Sequence, residues 1–271
     1  MKTKLNLFWF RRDLRLIDNH GLYEALQSEL PVLPIFIFDT NILEKLENKE
    51  DKRVDFIFQA LEKLNEYLEK QGKSIQIFYG KPLEIYENLS QQYEIGNVFC
   101  NEDYEPYAIK RDQEIKDFLA SKNINFYQFK DQVIFQKDEI TKADGKPYTV
   151  YTPYSKQWLL KFNDQNLEFF ASEKKLDNLL NIEKQKITLE HIGYKKTNYL
   201  FEPPKINLEI LEKYHETRNL PTKETSQMSV HLRFGTISAR KLVKLASELN
   251  DNTYLKELIW REFFMQILWH F

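Results

Sequence analysis

Leu5-Asn-Leu-Phe-Trp-Phe10 is a run of branched and aromatic side chains with one polar exception, and Arg11-Arg-Asp-Leu-Arg15 follows it without a break. An apolar run this short, stopped by charge, reads as a strand, and apolar side chains on both of its faces suit a parallel sheet. Working outward, similar runs recur at residues 32–38, 74–79 and 97–101, with a fifth at 125–129. Between them Val54, Ile57, Phe58, Leu61, Leu64 and Leu68 return at helical spacing, and Gly72 ends that helix. Residues 82–93 and 106–122 read as two more helices, each with proline in its first turn. This alternation predicts an α/β fold: a parallel five-stranded Rossmann-like sheet with helices on both faces and right-handed crossovers.

No G-x-G-x-x-G and no Walker loop accompany the sheet; the chain has seven glycines, and none follows a strand in the required pattern. The sheet therefore does not hold a nucleotide by the usual glycine fingerprint, and a flavin dinucleotide, if used, sits elsewhere. Arg11, Arg12, Asp13 and Arg15 follow the first strand at its ligand-prone carboxyl end, where we expect them to pair with one another and pin the connection.

Composition narrows the class. With 42% hydrophobic and 14% aromatic residues the chain folds around a core rather than staying disordered. A single Cys100 excludes an internal disulfide and suits a reducing compartment. No N-terminal apolar region resembles a secretion signal and no stretch reaches the roughly 20 apolar residues of a membrane span, so a soluble, cytoplasmic protein is expected. The net charge is −2, but unevenly spread: residues 1–140 carry a balance of −6 and residues 141–271 one of +4. A DNA partner would meet the second half, where cations offset phosphates. The five histidines and lone cysteine show no metal-ligand spacing, so no metal site is expected.

From about Gln132 to Pro204 the pattern weakens into Lys-rich polar text with Pro203-Pro204, a long connector laid over the surface. Helix follows, over residues 208–218, 238–249 and from about Thr253. The domains expected are thus 1–131, the α/β unit; 132–205, the connector; and 206–271, the start of a helical unit. Two local patterns there bear on chemistry. Thr225-Ser226-Gln227-Met228-Ser229 puts hydroxyls at a helix start, where they would cap the helix or, with the free N–H groups, receive a phosphate. Glu257, Trp260 and Arg261 stand at i, i+3 and i+4, so an acid, an indole and a guanidinium share one stripe. That stripe suits a planar, phosphate-bearing ligand. It equally describes an amphipathic helix with a Glu257–Arg261 pair and a core Trp260.

Four segments in order decide between such readings. Leu7-Phe-Trp-Phe-Arg-Arg-Asp-Leu-Arg-Leu-Ile-Asp-Asn19 resembles the N-terminal signature of the photolyase/cryptochrome family. Tyr148-Thr-Val-Tyr-Thr-Pro-Tyr-Ser-Lys-Gln-Trp158 is similar to its interdomain stretch, Thr225–Ser238 to its flavin-phosphate segment, and Glu257-Leu-Ile-Trp-Arg-Glu-Phe263 to its lesion-contacting helix. Most like a class I cyclobutane pyrimidine dimer photolyase, the chain is expected to be the N-terminal portion of such a protein, with further helices closing the FAD domain, and these 271 residues alone are expected to be inactive.

The resemblance implies FAD as cofactor, contacted by Tyr214, Thr225, Ser226, Gln227, Met228, Ser229, Tyr254 and Arg261, although Gln227 and Tyr254 depart from residues common in the family. It implies Glu257 and Trp260 as the groups that hydrogen-bond and stack on a dimer flipped out of UV-damaged DNA, since a lesion inside the duplex cannot reach a buried flavin. Reduced flavin would supply the electron that splits the dimer. Asn101, Tyr104, Glu105 and Tyr107 lie where members hold a second, antenna chromophore; Tyr107-Ala108 replaces the Asn-Glu pair of folate binders, so a folate held that way is not expected, and a deazaflavin, another pigment or none stay open. A light-dependent lyase acting as a monomer is the expectation. The alternatives are a cryptochrome photoreceptor, a pyrimidone-photoproduct photolyase, or an antenna-binding module without catalysis; Glu257 favours repair over signalling. Trp9 and Trp158 are expected in the core or between domains rather than as electron carriers.

Overall fold

Strand β1 (Lys4–Phe10) lies in the middle of the sheet its apolar run predicts, in a computed structural model that describes residues 2–271. The strand order is β3-β2-β1-β4-β5, completed by β2 (Val32–Asp39), β3 (Gln76–Gly80), β4 (Glu94–Asn101) and β5 (Asn125–Phe129), and every pairing is parallel. All five runs read from the sequence are strands. The connections carry α1 (His20–Leu26), α2 (Thr40–Leu43), α3 (Lys52–Leu68), α4 (Pro82–Gln92) and α5 (Pro106–Ser121).

Side chains of β1 alternate between two cores. Phe8 and Phe10 join Leu22, Phe56 and Leu61 of α1 and α3, whereas Leu5, Leu7 and Trp9 join Tyr86, Leu89, Ile115 and Leu119 of α4 and α5. Helices thus cover both faces. Gly72, at φ +70°, terminates the turn after α3 as its position predicts. The strand order reverses between β1 and β4, which opens a crevice at their carboxyl ends.

The structure differs from the sequence reading within residues 132–204. A helix, α6 (Tyr151–Asn163), runs inside the expected connector and is part of a third core. Tyr151, Tyr154, Trp158 and Phe162 sit at i, i+3, i+7 and i+11 along it, a helical stripe masked by the Lys, Ser and Thr between them. The remainder does lie along the sheet domain: Leu176, Leu179, Leu189, Ile192 and Tyr194 pack into the Phe8–Phe10 core, and Leu179 bridges Val32.

The helical part continues with α7 (Leu208–Glu212), α8 (Tyr214–Thr217), α9 (Met228–Phe234), α10 (Ala239–Ser247) and α11 (Thr253–His270). The single helix expected over 208–218 is broken at Lys213. The core of this part gathers Trp158, Leu211, Met228, Leu242, Ile259 and Phe263.

Sheet and helices meet at the loop after β1. Leu14 N donates to Phe234 O at 3.1 Å, and at Gly235 a Cβ would stand 2.0 Å from Arg12 O. With φ at +65° as well, only glycine fits. Beside it lies a buried charge cluster. Asp131 accepts from Arg15 at 2.7 Å and Arg240 at 2.8 Å, Arg240 reaches Asp18 at 3.1 Å, and Ser238 donates to Asp18. Against the burial that favours its neutral form, the two guanidiniums hold Asp131 down at about 2. The charges after β1 therefore do pin the connection, but with acids from elsewhere rather than with one another. Arg11 takes Asp112, Arg12 takes Asp103 and Glu105, Arg15 takes Asp131, and Asp13 accepts from Asn101.

Candidate functional site

Between the carboxyl end of the sheet and the helices lies a cavity of about 430 Å³, within the range of small-molecule sites. α11 contributes Tyr254, Glu257, Leu258 and Arg261 at helical spacing, α9 contributes Met228, Ser229 and Leu232, and Tyr214 and Ser226 close the far side. Seven of the ten side chains singled out by sequence therefore meet on one wall system: Tyr214, Ser226, Met228, Ser229, Tyr254, Glu257 and Arg261.

Three guanidiniums line this cavity; Arg12 and Arg233 are paired with Asp103 and Glu105, whereas no carboxylate lies in ion-pair contact with Arg261 among the described residues. Its guanidinium donates to Gln132 O at 2.7 Å and to Leu232 O at 3.3 Å, both neutral carbonyls. Burial lowers its pKa, against the pull of the neighbouring Glu262. Glu257 does not pair with Arg261 as the amphipathic reading has it; its carboxylate meets Arg218 from the end of α8. Tyr254 OH donates to Ser226 Oγ at 3.3 Å and its ring stands edge-on to Tyr214 at 5.2 Å, so aromatic surface and hydroxyls face the cavity together.

Thr225 and Gln227 lie outside the lining, and the expected cap is missing. α9 starts at Met228, and the residue before it, Gln227, is in the left-handed conformation at φ +55° with no side-chain cap bond. Of the hydroxyls only Ser226 Oγ reaches the helix start, at a long 3.5 Å from Met228 N. Trp260 also lies off the cavity, on the neighbouring flank of α11. There it stacks on Tyr151 with ring centroids 3.6 Å apart and planes 7° from parallel. It is half-buried rather than a core residue. Trp9 and Trp158 are core, as expected.

Sequence reading missed Arg218, Tyr151 and Glu262. Glu262 is buried and accepts from the backbone N–H groups of Ile134 and Phe135. A helical-wheel count placing it with Leu255, Leu258 and Ile259 would have shown its burial.

A second cavity, about 520 Å³, opens at the carboxyl ends of β1 and β2. Trp9 lies beneath it with the guanidiniums of Arg11 and Arg111 at 5.0 and 4.6 Å from the ring, both bonded to Asp112. Of the residues expected near a second chromophore, Glu105 and Tyr107 line it; Tyr107 OH donates to Asp39 at 2.6 Å. Tyr104 faces the first cavity, and Asn101 is a buried structural residue bonded to Asp13 and Asn19. The two cavities share a wall: Glu105 bonds Arg12 at 2.7 Å and Arg233 at 2.8 Å, and these cations hold its carboxyl near 2 against the burial that would raise it.

The family model described as DNA photolyase matches residues 6–173. The chain belongs to the DNA photolyase family. Among curated relatives it is similar to a deoxyribodipyrimidine photo-lyase of Synechococcus, 28% identical over 98% of this chain and 60% of the relative. The chain thus spans about 60% of the length of that photolyase. A bacterial class III photolyase from Agrobacterium tumefaciens superposes at a TM-score of 0.78 with 24% identity, over 100% of this chain and 60% of the other. An archaeal photolyase from Sulfolobus tokodaii, described with two FAD molecules and a novel light-harvesting cofactor, gives 0.68 at 21% identity over 98% and 60%. These photolyase structures share the parallel sheet and its helical continuation. Among the described residues no acid, histidine and cysteine grouping could hold a metal, and no helix is long and apolar enough to cross a membrane.

Proposed function

We propose that this photolyase-family protein takes part in light-dependent repair of cyclobutane pyrimidine dimers, as a deoxyribodipyrimidine photo-lyase with FAD in the first cavity. The observation that carries the reading is the gathering of Tyr214, Ser226, Ser229, Tyr254 and the carboxylate-free Arg261 around one cavity of ligand size. Those residues fit the group. Serine hydroxyls and Arg261 suit anionic and carbonyl oxygens, and Met228, Leu232 and Leu258 give an apolar bed for a ring. Reduced flavin, when bound, supplies the electron that opens the dimer. Arg261 would balance charge beside the ring, and Glu257, on the rim with Arg218, would hydrogen-bond to base edges. Trp260 on the adjacent flank would replace stacking lost when the lesion leaves the duplex.

The partner in this reading is UV-damaged DNA, met by the more basic second half, and the protein acts as a cytoplasmic monomer with domains 1–131, 132–205 and 206–271. The second cavity, floored by the indole of Trp9 and lined by Tyr107, would be the place for a light-harvesting chromophore. The test is illumination of the flavin-reduced protein with an oligonucleotide holding one thymine dimer, followed by chromatography of the bases. Restored thymines in light and none in darkness are expected. Flavin bound with no restoration would turn the reading toward a cryptochrome-type photoreceptor.

A further inference from the structure

We infer that Tyr151 is a positioning residue for Trp260, setting the plane in which the indole receives an extruded base; this rests on the proposed role of Trp260. Tyr151 is the first residue of α6 and holds α11 at two points one turn apart. Its hydroxyl donates to Lys256 O at 2.9 Å, and its ring lies flat on Trp260 at 3.6 Å and 7°. Phe263 meets both rings edge-on, at 6.0 Å from Tyr151 and 5.7 Å from Trp260.

Two consequences follow from that geometry. An indole has two faces, and van der Waals contact at 3.6 Å with near-parallel planes occupies one of them completely. Exposed Phe264, one turn on, lies 5.6 Å from the indole with planes 26° apart. A base can stack only where Tyr151 does not, beside or in place of Phe264, so the pair fixes which side of α11 the lesion approaches. The second consequence concerns order. A half-buried Trp on a helix flank loses rotamer freedom when a ligand stacks on it, and that loss weakens binding. Tyr151 removes the freedom beforehand, because its ring lies flat on the indole and is wedged against Phe263. Neither Glu257 nor Arg261 orients the indole, because their side chains are held by Arg218 and by backbone carbonyls, away from it.

The test is a double-mutant cycle on the flavin-loaded protein, reading the ratio of dissociation constants for intact and dimer-containing oligonucleotides. Tyr151→Leu should lower that ratio about three- to tenfold, the ordering of one side chain. Tyr151→Phe, which keeps the stack and loses only the O–H bond, should stay within about twofold of the wild type if flatness is what matters. In a Trp260→Ala background Tyr151→Leu should add nothing, since the residue it positions is gone. Flavin content is measured in each variant and should not change. Additive losses from the two substitutions, or a silent Tyr151→Leu beside a damaging Trp260→Ala, would overturn the positioning role while leaving the repair reading intact. A silent Trp260→Ala would remove the proposed role of the indole and this inference together.

Discussion

Trp158 and Glu262 are joined by a 2.7 Å hydrogen bond from the indole Nε1 to Oε1, with both side chains buried between α6 and α11. The same carboxylate accepts from Phe135 N at 2.6 Å and Ile134 N at 2.7 Å, so one acid satisfies three donors from two separate segments. Replacing it by Gln turns an amide N–H₂ toward one of those donors. Glu262→Gln should therefore destabilise by about 1–3 kcal/mol, the cost of leaving a buried donor unmatched, read from urea unfolding.

Glu262 also gives a pH signature. Burial, against the pull of its three donors, raises its carboxyl from 4.5 to about 7. The folded chain thus binds a proton in a range where the unfolded chain has released it. The stability this contributes is complete below about 4.5 and is lost as pH rises through 7, about 3 kcal/mol at most. Wild type should lose stability relative to Glu262→Gln across that window, so the variant's deficit of about 1–3 kcal/mol, present at pH 4.5, is offset or reversed by pH 7. A deficit that is flat or widens from pH 4.5 to 7 contradicts the raised value.

Gly235→Ala tests the close approach of sheet and helices. The added Cβ meets Arg12 O at 2.0 Å in a backbone at φ +65°. Both strain and clash act, and a loss of about 2–4 kcal/mol is expected by thermal or chemical unfolding. A neutral result would mean that the loop after β1 can move away freely.

Arg240→Met leaves Asp18 and Asp131 buried with Arg15 as the remaining cation. Removing one partner of such a cluster should cost about 3–5 kcal/mol, well above the worth of any exposed ion pair on this surface. Arg240→Lys should recover only part of it, because the guanidinium bridges two carboxylates and one ammonium cannot copy that fork.

For the cavity itself, Arg261→Ala should chiefly loosen flavin, seen as a lower ratio of flavin to protein after gel filtration. Glu257→Ala should leave much of the flavin and DNA binding but lower dimer splitting per absorbed photon. If the two variants behave alike, the division of labour between rim and bed is wrong.

The sheet was legible because its central strands are buried on both faces and so announce themselves as apolar runs, with helices of clear period between. α6 was not, since its stripe of aromatics is spaced by Thr, Pro, Ser and Lys that read as connector. The cavity residues on α11 were visible through their spacing, and resemblance, not spacing, gave them a role. The partners of those residues were invisible: Arg218 for Glu257, Tyr151 for Trp260 and the carbonyls for Arg261 come from distant segments. The hydroxyl cluster at 225–229 misled at the level of local structure, because a left-handed Gln227 rather than a side-chain cap opens α9. Short-range rules cannot foresee a backbone turn imposed by docking α9 on both cores.

The cluster of Arg15, Asp18, Asp131 and Arg240 bears on modularity. A piece ending after Asp131 would keep two acids and one guanidinium, and a piece beginning at 206 would carry Arg240 alone on a face that had been dry. Each would be left with unbalanced charge where it had an interface. Neither half is a transplantable cassette, and a chimera joining this sheet to another helical half should assemble only when the charges on both sides are exchanged as a set.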